Sequence, residues 1–168
     1  MNKLKSIKLR TSIGLILLIG ILSGCQSRKK EILEKPVGTS ISDLEAIIEK
    51  EIDSFYIAYK QYDYDWIDFF DDEFTNVFPD TPIRKISKDS TKAIWKSIYD
   101  RYEVQLIYHG KPSFITSEAM VISHNSFNEI FINKQNHDTI KNVGTYIVAW
   151  KRQLDNSWKI VFETVQNN

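Results

Sequence analysis

The chain has 168 residues, 26% charged and 42% apolar, which is typical of one folded domain. Four of its 22 cationic residues and none of its 22 acids lie before residue 25, so residues 25–168 carry 18 cations and 22 acids. Their net charge of −4 argues against nucleic acid as a partner. One cysteine and six glycines leave no cysteine pair for a zinc or redox motif and no glycine cluster for a phosphate loop, so we expect no cofactor and no metal site.

The amino terminus has the pattern of an export signal. Four cations within residues 1–12 precede an apolar run at residues 13–22 that only two glycines interrupt. The run is shorter than the roughly 20 residues of a membrane-spanning helix and has the length of a signal-peptide core. The segment Leu22-Ser23-Gly24-Cys25 follows, and it resembles the lipobox of bacterial lipoproteins.

This resemblance implies a signal peptide at residues 1–24, acyl chains such as palmitate on Cys25, and a tether at residues 25–39. The lipid would attach the protein to a bacterial membrane, in the cell envelope and facing outside the cytoplasm. The alternative is an ordinary signal peptide followed by an incidental cysteine. Which membrane carries the protein stays open.

Three helices are predicted first in the domain at residues 40–168. Apolar residues three or four apart from Ile41 to Tyr62 predict a long first helix, with Ser42 and Glu45 as its capping box. Asp63 is placed to cap a short second helix, and Ser87 to cap a third.

The second half of the chain has the alternation of β-strands. Extended segments are predicted at residues 104–109, 113–116, 119–133, 139–153 and 158–166. Helices followed by hairpin strands predict an α+β fold with a curved antiparallel sheet that helices cover on one face.

The order of these elements, together with several short motifs, resembles the nuclear transport factor 2-like superfamily, and within it the SnoaL-like domains. The motifs are the Asp71-Asp72 pair closing the second helix, Gly144-x-Tyr146, Trp150-Lys151-Arg152 and Trp158-Lys159-Ile160-Val161. The likeness covers residues 41–166. It implies a cone: a strongly bent antiparallel sheet wrapped around a long amino-terminal helix, with a cavity between them.

Some members of that superfamily, such as ketosteroid isomerase, catalyse acid–base reactions with a carboxylate base and a tyrosine-containing oxyanion hole. Aligned on Asp71-Asp72, the base region falls at residues 76–78, which contain no acid. Asp80 matches only if a short insertion is assumed, and the oxyanion tyrosine falls near residues 53–56. The isomerase mechanism is therefore not predicted.

Two other residues are candidate catalytic groups. His124 lies among polar residues 123–126 in an otherwise apolar strand, a pattern that favours a β-bulge over the polar lining of a cavity. Glu163 lies between Phe162 and Thr164, where an outward-facing carboxylate is the favoured interpretation and a buried acid or base the alternative.

An acidic run at residues 63–73 has oxygen ligands of the kind that calcium prefers. It lacks the spacing of a calcium loop, and Asp65, Asp68 and Asp72 share one face of the predicted helix. We therefore interpret this face as solvated.

Aromatic residues are abundant, with 4 Trp, 8 Tyr and 9 Phe. Candidate ligand-binding residues along the predicted cone are Tyr59, Trp66, Trp95, Tyr99, His124, Tyr146 and Trp150. The leading hypothesis is a membrane-anchored domain that binds a small apolar or aromatic molecule without converting it. The alternatives are an isomerase or dehydratase that uses the same cavity, and a homodimeric scaffold that pairs through its sheet face.

Overall fold

The computed structural model describes residues 40–79 and 81–167. Cys25, residues 1–39 and Asp80 lie outside the described residues, so the lipidation site and the boundaries at residues 24 and 39 stay predictions. Within the described ranges, no helix combines the length and the hydropathy that a membrane crossing requires.

Helix α1 spans Ile41–Tyr59 and supplies the inner layer of the fold. The predicted stripe is buried at Leu44, Ile48, Ile52, Phe55 and Tyr59, together with Tyr56 beside it. The helix is capped two residues earlier than predicted, by Ser40 and Asp43 instead of Ser42 and Glu45. Ser40 accepts a hydrogen bond from the Asp43 backbone N–H at 3.2 Å, and the Asp43 carboxylate accepts one from the Ser40 N–H.

The predicted short second helix is a 3₁₀ helix over Asp65–Phe69 rather than an α-helix. Its N-cap position is Tyr64, so the predicted cap at Asp63 is wrong, although the Asp63 carboxylate accepts a hydrogen bond from the Asp65 N–H. Strand β1 follows at once over Phe70–Val77. The Asp71-Asp72 pair therefore lies in a strand, because Phe70 and Phe74 are anchored in the core and their neighbours turn outward.

Strand β2 (Arg84–Ser87) and helix α2 (Lys88–Arg101) complete the first half. Ser87 caps α2 as predicted, accepting a hydrogen bond from the Ser90 N–H at 3.2 Å. Helix α2 is largely exposed and directs Trp95 and Ile98 towards the core.

The remaining strands match their predicted bounds closely. They are β3 (Tyr102–His109), β4 (Ser113–Thr116), β5 (Met120–Asn133), β6 (Thr139–Arg152) and β7 (Trp158–Asn167). Together with β1 and β2 they form one sheet of seven strands in the order β2-β1-β7-β6-β5-β3, in which β4 also pairs with β5. The sheet is mixed rather than wholly antiparallel, because β1 runs parallel to β7.

The sheet curls around α1 without closing. Register shifts interrupt the pairings of β1 with β7, of β3 with β5 and of β6 with β7, and such irregularities bend strands. The concave face buries Val104, Val121, Val148, Trp150 and Ile160 against the helix. The predicted α+β cone is therefore confirmed, with β1 and β2 inserted among its helices.

Gly144 explains one of the sequence motifs. It is buried in β6 opposite Asn167, and a Cβ atom there would collide with the backbone carbonyl of Gln166 on β7. Glycine is therefore needed for the close approach of these two strands.

Replacing Ile48 with alanine should destabilise the domain strongly. The side chain is fully buried on α1, and removal of such a group costs about 2–5 kcal/mol of unfolding free energy. Ile57 on the same helix is 63% exposed, so Ile57→Ala should change stability by no more than about 0.5 kcal/mol. Urea unfolding followed by circular dichroism measures both, and equal losses would contradict the packing of Ile48 between α1 and the sheet.

Candidate ligand-binding cavity

A cavity of about 190 Å³ lies between the two helices and the concave face of the sheet. Apolar cavities of about 150 Å³ are large enough for benzene, whereas drug-sized ligands fill about 300–1,000 Å³. The lining is dominated by aromatic and aliphatic side chains, with two glutamates and one asparagine: Phe55, Tyr56, Tyr59, Trp66, Phe78, Trp95, Ile98, Leu106, Phe127, Glu129, Phe131, Asn142, Tyr146, Glu163 and Val165.

Glu163 on β7 is the first of the two acids in the cavity and is 7% exposed. Its Oε1 accepts a hydrogen bond from Asn76 Nδ2 at 2.7 Å, and its Oε2 accepts one from the Tyr146 hydroxyl at 2.7 Å. Asn76 lies on β1 and Tyr146 on β6, the two strands that flank β7. The carboxyl is therefore held by donors from both neighbouring strands.

Glu129 on β5 is the second acid, 8% exposed, and it has the same kind of partners. Its Oε2 accepts a hydrogen bond from the Tyr59 hydroxyl at 2.8 Å, and its Oε1 accepts one from Asn142 Nδ2 at 2.6 Å. Asn142 lies directly opposite Glu129 on β6, and Tyr59 reaches it from the end of α1. Each glutamate is thus bound by one tyrosine and one asparagine.

Burial changes the proton affinity of these groups. Desolvation raises the pKa of Glu163 and of Glu129 above the usual value, although the hydrogen bonds from their tyrosine and asparagine partners act in the opposite direction. Burial and the adjacent carboxylates hold the pKa of Tyr59 and Tyr146 well above 10.0. Over the neutral range both tyrosines are therefore hydrogen-bond donors.

Three aromatic rings form one wall of the cavity. Tyr59, Trp66 and Trp95 pack edge to face, with centroid separations of 5.5 Å for Tyr59–Trp66, 5.6 Å for Tyr59–Trp95 and 5.1 Å for Trp66–Trp95. The Trp66 indole nitrogen is buried near the Tyr99 hydroxyl, and within the described ranges neither atom makes a hydrogen bond of good geometry. A ligand would therefore meet aromatic faces and edges on this side.

The predicted binding residues fall into two groups. Tyr59, Trp66, Trp95 and Tyr146 line the cavity, whereas Tyr99, His124 and Trp150 are outside its lining. Trp150 is 1% exposed in the core, where its indole N–H donates to Ser123 Oγ at 3.0 Å. A binding role for the four lining residues stays a prediction.

The predicted bulge at residues 123–126 is wrong. These residues pair with β6 in continuous register and alternate between the two faces of the sheet. Ser123 and Asn125 point inward and are buried, and Asn125 Nδ2 donates to the Tyr56 hydroxyl at 2.8 Å. His124 is exposed, since it points away from the concave face.

The two candidate catalytic residues that the structure describes, His124 and Glu163, do not converge. Glu163 points into the cavity, so the expectation of an outward-facing carboxylate is wrong. His124 lies on the opposite face of the sheet, and Asp80 lies outside the described residues. Asn76, in the region where the resemblance places a base, binds Glu163 instead.

Glu129 was not predicted as a site residue, and neither were Asn76 and Asn142, which bind the two glutamates. The signal was present in the pattern Phe127-x-Glu129-x-Phe131, because alternate residues of a strand face the same side. Phe127 and Phe131 both line the cavity, and Glu129 lies between them.

The acidic run does not form a metal site in the described residues. No group of three or more His, Cys, Asp or Glu side chains within residues 40–79 and 81–167 is arranged to hold a metal ion. Asp65 and Asp68 belong to the 3₁₀ helix and Asp72 to β1, so the single helical face expected for them does not form.

Removal of one tyrosine hydroxyl should raise the pKa of its own glutamate further. The hydrogen bond from Tyr146 lowers the pKa of Glu163, and Tyr146→Phe removes it. Tyr59→Phe removes the corresponding bond to Glu129 and is the matched control. Carboxyl ¹³C titration by NMR should show each variant shifting one glutamate only. A shift of both by either variant would contradict two separate sites.

Glu163→Gln should change how stability depends on pH. The pKa of Glu163 in the unfolded chain is near 4.5 and is higher in the folded state, so the folded state binds more protons above pH 4.5. The unfolding free energy of the wild type should therefore fall, relative to the variant, as the pH rises from 4.5 through the folded-state pKa. Urea unfolding at several pH values measures this, with the exposed Glu118→Gln as control. A difference that is constant with pH would contradict the buried, shifted carboxyl.

The domain is similar in structure to proteins of known fold. No protein-family model matches the sequence, and no curated protein matches it either. Solved structures do match. A nuclear transport factor 2-like superfamily protein from Salmonella enterica serovar Typhimurium is similar with a TM-score of 0.63 and 11% identity, covering 76% of this chain and 93% of that protein.

Two further structures have names that refer to enzymes. A ketosteroid isomerase-like protein from Erwinia carotovora is similar with a TM-score of 0.57 and 14% identity, over 73% of this chain and 94% of that one. A scytalone dehydratase-like protein from Novosphingobium aromaticivorans is similar with a TM-score of 0.63 and 11% identity, over 76% of this chain and 88% of that one. These likenesses extend over most of each chain at low identity. The described part of the chain therefore adopts the nuclear transport factor 2-like cone fold.

Proposed function

We propose that this domain binds a small, mainly apolar or aromatic molecule in its cavity and does not convert it. The observation that carries the proposal is the aromatic-lined cavity of about 190 Å³ between α1, α2 and the concave face of the sheet. Flat rings pack well against walls of this kind, because aromatic pairs contribute about 0.5–1.5 kcal/mol beyond their buried area. The volume favours a ligand with a single ring.

The hydrogen bonds at the two glutamates favour binding over catalysis. A general base needs a partner that stabilises the charge developing on the substrate, and a tyrosine hydroxyl is one such group. The hydroxyls of Tyr59 and Tyr146 already donate to Glu129 and Glu163. Both oxygens of each carboxylate also accept a hydrogen bond from the protein. The two tyrosine hydroxyls are thus already engaged by the glutamates.

We also propose that the domain is attached by lipid to a bacterial membrane, facing outside the cytoplasm. The support is the cationic start, the short apolar run and the Leu22-Ser23-Gly24-Cys25 segment. Several acyl chains on one cysteine would give stable attachment, because each buried methylene contributes about 0.8 kcal/mol. A tethered binding domain would hold its ligand near the membrane surface.

Binding of single-ring compounds should depend on the free space beside Leu106. Isothermal titration calorimetry with benzyl alcohol and benzylamine tests this on the full chain. Leu106 lines the cavity on β3, and Leu106→Phe should weaken binding about tenfold or more by filling it. Ile107 is the next residue and is 55% exposed, so Ile107→Phe is the matched control. Absence of binding by both probes, or equal losses in the two variants, would refute the cavity as a ligand site.

Lipid attachment should depend on Cys25. The full chain expressed in a bacterium should enter the detergent phase on Triton X-114 separation, and intact mass spectrometry should show acyl chains on a chain that begins at Cys25. Cys25→Ser should remain in the aqueous phase, because serine offers no thiol for the lipid. Aqueous partition of the unsubstituted chain would exclude the lipid anchor.

Acid–base catalysis is the second candidate function. The observation in its favour is that Glu129 and Glu163 are buried in the cavity with raised pKa values, a common property of general acids and bases. Small molecules that co-purify with the wild type and with the Glu129→Gln/Glu163→Gln double variant should distinguish the two functions by mass spectrometry. The same compound in both indicates binding, whereas an enzyme would leave product with the wild type and substrate with the variant.

A further inference from the structure

The cavity is lined by acidic groups without basic ones. Its described lining includes Glu129 and Glu163 and contains no lysine, arginine or histidine. The two salt bridges in the described residues, Lys88–Asp72 and Lys96–Asp100, involve neither glutamate. Each buried carboxylate is therefore compensated by neutral donors only.

Those donors leave acceptor capacity unused. An ionised carboxylate offers about four lone-pair sites. Glu163 uses one on each oxygen, for Asn76 and Tyr146, and Glu129 does the same with Asn142 and Tyr59. Because these neutral donors do not fully offset desolvation, the pKa of each glutamate stays raised. A positively charged donor on a ligand would supply the charge compensation and the further hydrogen bonds that the protein does not provide.

We propose that the cavity selects a ligand that carries a protonated amine, with an apolar or aromatic body. This inference rests on the binding function proposed above and specifies its ligand class. The ammonium group would lie against Glu163 or Glu129, and the body would occupy the aromatic part of the cavity.

The aromatic wall supports the same ligand class independently of the acids. A cation within about 6 Å of a Trp or Tyr ring face is attracted by the ring quadrupole, and the attraction grows when water is excluded. Tyr59, Trp66 and Trp95 line the cavity together with the glutamates. A metal ion would gain little from such walls, since hard cations require several oxygen ligands.

Binding of an amine should be linked to protons. Among the groups that face the glutamates, Tyr146 is next to Glu163, whereas Tyr59, Tyr99 and Tyr56 are near Glu129. Burial holds the pKa of all four tyrosines above the normal value of 10.0, so none of them titrates near neutrality. His109 stacks on Tyr56 with 4.1 Å between ring centroids. Any pH dependence of binding that His109 causes would persist in the glutamate variants.

The test compares three compounds with the same ring. Benzylamine is a cation at neutral pH, benzyl alcohol is uncharged and benzoate is an anion. Calorimetry on the full chain at pH 8 should show benzylamine binding about tenfold or more tighter than benzyl alcohol, with benzoate the weakest. As the pH falls and the glutamates become protonated, the affinity for benzylamine should decrease while that for benzyl alcohol stays constant.

The variants identify the charge that is responsible. Glu163→Gln and Glu129→Gln keep the side-chain shape. In Glu163→Gln, the Asn76 side chain can flip so that its Oδ1, which has no partner within the described ranges, accepts a hydrogen bond from the new amide. At least one of the two variants should abolish the preference for benzylamine over benzyl alcohol. Glu118→Gln removes an equal charge from an exposed site and should change neither.

The outcomes separate this inference from the proposed function. Equal or tighter binding of benzyl alcohol in the unsubstituted chain would overturn the selection of amines and leave the binding function standing. The same conclusion follows if the preference for benzylamine survives in both glutamate variants. Binding of none of the three compounds would refute the proposed function and this inference together.

Discussion

The packing of helix α1 into the concave face of the sheet is the interaction on which the rest of the structure depends. Ile48 and Ile52 are buried along the helix, and Phe55 stacks on Tyr146 of β6 with a centroid separation of 6.2 Å. A curled sheet alone would expose its concave apolar face to water, so the helix is what makes the curvature stable. The remaining free space along this contact becomes the cavity, because the large rings near the end of α1 do not fill it.

The two buried carboxyls connect elements that are distant in the sequence. Glu163 on β7 binds Asn76, 87 residues away on β1, whereas Glu129 on β5 binds Tyr59, 70 residues away on α1. A buried polar group is costly unless each of its atoms finds a partner, so these bonds form only when the strands and the helix are correctly placed. The polar part of the cavity therefore also fixes the arrangement of its walls.

Local patterns in the sequence were sufficient for the strands of the second half. Alternation and polar turns set their ends, and the observed bounds of β3–β7 lie within two residues of the predicted ones. The parallel pairing of β1 with β7 could not be predicted in this way, since its cause is tertiary: Phe70 and Phe74 must reach the core beside Ile160. The same holds for the short 3₁₀ helix, where helical spacing of Trp66, Phe69 and Phe70 gave way to the demands of the sheet.

The candidate site was predicted in part from the sequence: the aromatic lining was expected, whereas the buried glutamates were not. Aromatic residues were expected in the cavity because large apolar side chains are buried in most folds, and Tyr59, Trp66, Trp95 and Tyr146 do line it. The general rule that carboxylates face water placed Glu163 outside. That rule fails where partners are available, and the partners of Glu163 come from strands that the sequence does not show to be its neighbours.

The direction of the hydrogen bonds determines what this cavity can recognise. A tyrosine that donates to a bound molecule favours ligands with a developing negative charge, as an oxyanion hole does. Here Tyr59 and Tyr146 donate to glutamates, so these two hydroxyls are already used, and the carboxylate oxygens keep capacity as acceptors. A cone cavity built in this way has the opposite polarity to an oxyanion hole, although the fold is the same. The shared fold alone therefore does not determine the chemistry of the cavity, and the ligand class that we propose rests on the two glutamates and the rings around them.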